Sequence, residues 1–286
     1  MTSNALAVLL KNELQLSDIE RMILAETEQD DAAFDPIPTK ITIAPGGTGY
    51  FNTTDGEAMR ALDSAIVVVS QKARAYWPQK GTGKPPLCSS RDGSHGVFNH
   101  LASDEQITAG TGALDPHPAI RLIDEKRPIP DTFSCLSCPL AQWGSTHQNG
   151  PGKGMACKTL RRLVVLVDGW SQPALLTLPP TSVKIWDTYC SGLDRKKSAY
   201  FAVRTRIELD PSGKSVNGDP YSVVKVSTTE KLTATAELLA VIEIRRQYAE
   251  LVKTMDIAGD EYDVTDGDGG QVVAGKSDEE LDQLPF

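Results

Sequence analysis

Long apolar runs are missing from this 286-residue chain. None approaches the 18 or more residues of a membrane-spanning helix, so no such span is expected. No basic stretch leads into an apolar one near Met1, so no secretion signal is expected and a cytoplasmic location is. Motifs of catalysis are absent too. Gly46-Gly47 and Gly81-Thr82-Gly83-Lys84 do not meet the spacing of a phosphate-binding loop. His-x-Glu, the mark of zinc deaminases, occurs nowhere. The acids of the body are dispersed rather than clustered as metal-dependent nucleases need, and Asp92-Gly93 reads as a turn. No enzymatic activity is therefore expected.

Cysteine is scarce but placed. The five are Cys88, Cys135, Cys138, Cys157 and Cys190. An odd count without a secretion signal argues against a disulfide framework and for metal ligation. Cys135-Leu136-Ser137-Cys138 is a CxxC knuckle, able to offer two thiolates to one tetrahedral zinc. Cys88 and Cys157, flanked by glycine and proline, complete a Cys₄ set for structural Zn²⁺. One of the histidines (His95, His100, His117, His147) is an alternative to Cys88. Cys190 sits among apolar neighbours and reads as a core thiol.

Positive charge is short overall, with a net charge of −9. Its distribution reverses that impression. Residues 256–286 hold ten acids and only Lys276, which is −9 in the tail alone. Residues 1–36 hold eight acids against Lys11 and Arg21. The middle, 37–255, has 26 bases against 20 acids, or +6. A mildly basic body with acidic ends suits a nucleic-acid binder with an interaction tail.

The pattern predicts an α+β, mainly β fold. Residues 5–28 read as an amphipathic helix, and residues 1–36 as that helix with an acidic linker. Residues 37–255 form the binding domain. Strands are expected at 41–43, 65–77, 161–167, 174–178, 200–209 and 221–227, and helices at 183–193 and 229–255. Thr181 or Ser182 is the expected N-cap of the first of these helices. Between about 79 and 160 no periodicity persists, and a loop-rich insertion held by zinc is expected. Residues 256–286, acidic and glycine-rich, are expected to be a disordered tail. Several strands with a helix between two of them suit a small Greek-key barrel, of which the OB-fold is the common oligonucleotide binder.

Binding single strands without sequence preference needs a positive groove and aromatics for stacking. On the strand at 65–77, alternation puts Ser70, Lys72, Arg74 and Tyr76 on one face, and Val67, Val69, Ala73 and Ala75 on the other. On the strand at 200–209, Tyr200, Arg204 and Arg206 face outward from Phe201, Val203, Thr205, Ile207 and Leu209. Lys158, Arg161, Arg162 and Trp143 add to the candidate contacts, as do Arg195, Lys196 and Lys197. Trp170 and Trp186 read as core.

The last nine residues are Asp278-Glu279-Glu280-Leu281-Asp282-Gln283-Leu284-Pro285-Phe286. They resemble the C-terminal tip of bacterial single-stranded DNA-binding proteins, an acidic stretch closing on proline and phenylalanine. In that family the tip docks on repair and replication enzymes. The resemblance implies that Asp282, Leu284, Pro285 and Phe286 bind such host or phage proteins. The cysteine cluster and the longer body depart from the bacterial family. They resemble phage or mobile-element single-stranded DNA-binding proteins, some of which carry zinc in an OB domain. The expected function is non-specific single-stranded DNA binding in replication, recombination or repair, in a bacterial cell or phage-infected host. A zinc-containing transcription or duplex-DNA regulator is the alternative. Residues 183–193, with Lys184 as their only base, make a poor recognition helix for it.

Overall fold

The computed structural model describes residues 38–54, 56–79, 82–111, 116–146, 154–214, 218, 220–259 and 261. The expected helix at 5–28 and the tail beyond 261 lie outside the described residues. The chain divides at Pro38, and the fold below belongs to the unit that starts at Thr39.

The described residues are α+β and mainly β. β1 (Thr39–Ile43), β2 (Phe51–Thr53), β3 (Ala58–Met59) and β4 (Ala61–Tyr76) are followed by β5 (Cys88–Ser90), β6 (His95–Phe98) and β7 (Phe133–Ser134). β8 (Lys158–Leu166), β9 (Ala174–Leu178), β10 (Val203–Lys214) and β11 (Pro220–Lys231) complete one mixed sheet. Its order is β3-β2-β1-β9-β8-β4-β5-β6-β7, with the β10–β11 hairpin joined to the start of β4. β1 and β9 are parallel and the other pairs antiparallel. The sheet does not close on itself, so of the expected α+β, OB-like small barrel the described residues show the mainly β sheet and not a closed barrel.

Helices cover both faces. α1 is Asp104–Thr111, α2 Pro118–Asp124, α3 Pro180–Arg195 and α4 Thr235–Thr254. α3 lays Trp186 on a cluster of Ile41, Phe51, Leu62, Val67, Leu163, Leu176 and Ile207. The Trp186 Nε1–H donates to Ser70 Oγ at 2.8 Å, satisfying the one polar group of a fully buried ring. α4 lays Val241, Tyr248 and Val252 on Ile66, Val68, Val69, Val164 and Leu175, on the opposite face. The middle of β4 is therefore a continuous apolar run, as a strand covered on both sides must be.

Several elements differ from the sequence reading. α3 begins at Pro180 with Pro179 at its N-cap and no side-chain cap. Ser182 instead points inward, where its Oγ accepts the Val224 N–H at 3.4 Å. The helix expected from 229 begins at Thr235, because residues as far as Lys231 pair with β10. Tyr200 and Phe201 form a 3₁₀ turn rather than the start of β10. β10 itself alternates as expected, with Val203, Thr205, Ile207 and Leu209 buried. The stretch 79–160 is not bare loop. Its short strands and helices enclose their own apolar cluster of Leu87, Phe98, Ala119, Ile120, Leu140 and Ala141.

The acidic tail also begins later than expected. Ile257 is buried against Ala73, Ala75, Trp77 and Leu160. Glu261 is buried against Arg162. Residues 256–259 and Glu261 are thus part of the body.

Candidate functional site

The far end of β4 starts a ribbon of short strands that gathers the cysteines. Tyr76 pairs with Cys88, Cys88 with Phe98, and Gly96 with Phe133. The Cys135 N–H donates to Ser94 O and the Cys157 N–H to Leu140 O, each at 2.8 Å. These backbone bonds bring Cys88, Cys135, Cys138 and Cys157 to the walls of one small cavity. Tyr76, Gly96, His117, Phe133, Leu140 and Ala141 line it with them.

The lining fits a four-thiolate metal site in three ways. Glycine at 96 leaves room for sulfur, since a Cβ there would lie 2.9 Å from Cys88 Sγ and 3.6 Å from Cys135 Sγ. The Cys138 sulfur receives the backbone N–H groups of Leu140 and Ala141, which favour its thiolate against burial. Burial, then the neighbouring Cys138 and Cys135, push the Cys157 thiol up to about 12. Burial and the same kind of crowding raise Cys88. A bound cation would favour loss of the thiol protons at such a site, since metal binding and thiol deprotonation are coupled. Among the described residues no group of three or more His, Cys, Asp or Glu side chains stands as a formed metal-binding set. What the four cysteines share is the wall of one cavity. Two of the other histidines have different surroundings, and the third, His147, is not among the described residues. His95 is exposed and bonded to Asp92 at 2.7 Å, and His100 meets Phe98 edge-on. Asp92 accepts the Ser94 and His95 N–H groups at 2.7 and 2.8 Å, as a turn residue does.

The candidate nucleic-acid contacts separate into two groups. β4 and β8 pair so that Lys72 lies opposite Arg161 and Gln71 opposite Arg162. The α3 side of this ribbon therefore carries Lys72, Arg74 and Arg161. Lys72 is exposed. Arg161 is held by Asp187 of α3 at 2.5 Å. Arg74 is half-buried, and its Nε and Nη1 have no hydrogen-bond partner. It lies close enough to Cys138 and Cys157 to stabilise their thiolates. Beyond the knuckle Trp143 is 67% exposed, and Leu136, inside the knuckle, is 88% exposed.

The other candidates have different employment. Tyr76 is buried on the cavity wall, not on a wet face. Arg162 is wholly buried on the α4 side. It bonds Glu261 at 3.1 Å and the carbonyls of Val252, Met255 and Asp256. Lys158 is buried, on the face opposite Arg161's. The Tyr200 hydroxyl accepts from Arg245 at 2.6 Å, and its ring meets Trp186. Arg204 is tied to Glu237 at 2.5 Å, and Arg206 to Asp63 and Glu208 at 2.7 and 3.0 Å. Asp282, Leu284, Pro285 and Phe286 lie outside the described residues.

Sequence reasoning missed two features of the site. One is Gly96, whose packing role shows only once β5, β6 and β7 are paired. The other is which histidine belongs there: the sequence offers four as alternatives to Cys88, and the place of His117 on the cavity wall depends on the fold of the whole segment. No family model matches the chain, and neither a curated protein nor a solved structure matches it.

Proposed function

We propose that this chain is a single-stranded DNA-binding protein with a structural zinc held by Cys88, Cys135, Cys138 and Cys157. The observation that carries the reading is the ribbon face on which Lys72, Arg74 and Arg161 run toward the cysteine knuckle, where Trp143 stands exposed. Cations along a strand pair track a phosphate backbone, and a solvent-facing indole offers a surface for a base to stack on. The zinc fixes the knuckle and so the position of Trp143 relative to the cations. A closed barrel is not required, because the contacts come from one open face. The +6 body supports the same reading. The sequence 278–286, by its resemblance, is the partner-docking element, with Asp282, Leu284, Pro285 and Phe286 meeting replication or repair proteins.

The test is titration with a thymidine 30-mer and with a duplex of equal length. The single strand binds far more tightly, and affinity falls as salt rises. Equal affinity for both, or none for the single strand, overturns the reading. A preference for duplex would favour a duplex-DNA regulator. Phe286→Ala leaves the thymidine affinity in place while removing capture of a repair enzyme that binds bacterial tips. Weaker DNA binding in that variant would reassign the tail.

A further inference from the structure

His117 opens α2, where its Nδ1 accepts the Ala119 N–H at 3.2 Å. The side chain is buried, with only 2% of the residue exposed. Its ring stacks on Phe98 at 5.7 Å between centroids and meets Phe133 edge-on at 4.9 Å. The remaining nitrogen, Nε2, is buried and has no hydrogen-bond partner. Native proteins seldom leave a buried polar atom unpaired without a reason. Here the ring lines the cavity that holds the four cysteines.

The Ala119 bond decides what Nε2 can do. Burial keeps the ring neutral, with its pKa pushed down to about 4. A neutral imidazole carries one N–H. Nδ1 uses its lone pair as an acceptor, so the hydrogen sits on Nε2. Ligating a metal through Nε2 would move that proton to Nδ1 and break the Ala119 bond. Donating Nε2–H to an acceptor in the cavity costs nothing at Nδ1. Beside the Tyr76 and Ser134 hydroxyls, the side-chain acceptors on this lining are the four cysteine sulfurs, and a thiolate accepts strongly.

We propose that His117 is a positioning residue of the metal centre, donating its Nε2–H to a cysteine sulfur and so favouring the thiolate that binds the ion. The inference rests on the four-cysteine reading and can fail separately from it. On this proposal histidine is a supporting group and not a substitute for Cys88.

The experiment loads the full chain with cobalt(II), records the absorption spectrum, and competes the metal away with a chelator. His117→Phe keeps the ring stack but has no N–H. His117→Asn keeps an acceptor for the Ala119 N–H but has no ring. The wild type should give the spectrum of a tetrahedral four-sulfur site. Both variants should keep that type, hold the metal about 10-fold or more weakly, and move the sulfur-to-cobalt band to longer wavelength. Unchanged affinity and band position would overturn the proposal, even where the thermal midpoint falls, because that pattern belongs to a packing role alone. A wild-type spectrum of three sulfurs and one nitrogen, lost in both variants, would make His117 a ligand and overturn it equally. A wild type that takes up no stoichiometric metal would remove the four-cysteine reading and the inference with it.

Discussion

The two faces of the β4–β8 ribbon use the same kind of residue in opposite ways. Arg161 and Arg162 are neighbours in sequence and a pleat apart in space. Arg161 keeps 19% of its side chain in solvent and is tied to Asp187 of α3. Arg162 is sealed under residues 252–261 with every nitrogen engaged. What separates them is cover. The α4 side is closed by chain returning from the end of α4, and among the described residues the α3 side beyond Trp186 leaves Lys72 exposed. A cation on the covered face serves the fold. On the other face Lys72 is exposed and Arg161 is held by Asp187.

The largest expected effect comes from the covered face. Arg162→Met leaves Glu261 as a buried, unpaired carboxylate and should cost about 3–5 kcal/mol in urea unfolding. Adding Glu261→Leu should recover much of that loss, since two apolar side chains replace a desolvated pair. A double variant no better than the single would show that the carbonyl contacts of Arg162 matter more than its charge. Next, Ile257→Val should cost roughly 0.5–1.5 kcal/mol, the ordinary result of trimming one buried methyl group. No measurable loss would mean that residues 256–261 do not cover the sheet in solution. On the other face, Arg161→Ala should cost less than Arg162→Met, because Arg161 keeps 19% and Asp187 47% of the side chain in solvent while Arg162 and Glu261 keep almost none. Lys72→Ala should leave the unfolding midpoint in place. It should lower single-strand affinity and reduce the salt slope by about 0.7, the share of one phosphate contact. The comparison breaks if Lys72→Ala destabilises the fold, or if Arg162→Met weakens DNA binding without doing so.

The sequence made much of this legible where side chains alternate over a long element. β10 reads correctly because Val203, Thr205, Ile207 and Leu209 hold one face without interruption. β4 reads correctly as a strand but not as a pair of faces. A bulge between Val67 and Val69 shifts the alternation, so Val67 joins the α3-side core and Val69 the α4-side core. The strand propensity of Ile66, Val67, Val68 and Val69 carries no trace of that extra residue. The four cysteines were legible as a set because spacing and glycine-rich flanks are local. The shell around them was not, since β5, β6, β7 and α2 are each too short to show a period. Glu261 read as one more acid of a solvated tail because its partner lies 99 residues earlier.

β4 has a further consequence, in time rather than space. Only its last residues, Arg74 to Tyr76, pair with the nearby β5; the partners of the rest, β8 and β10, begin at Lys158 and Val203, long after the strand ends at Tyr76. At roughly 5–20 residues per second, β4 leaves the ribosome several seconds or more before either partner exists. During that wait its valine-rich middle is an unpaired apolar strand, the kind of segment that finds a wrong edge first. The strand that organises both faces of the finished molecule is thus its point of greatest exposure during synthesis. Folding yield should depend on how quickly residues 158–214 follow.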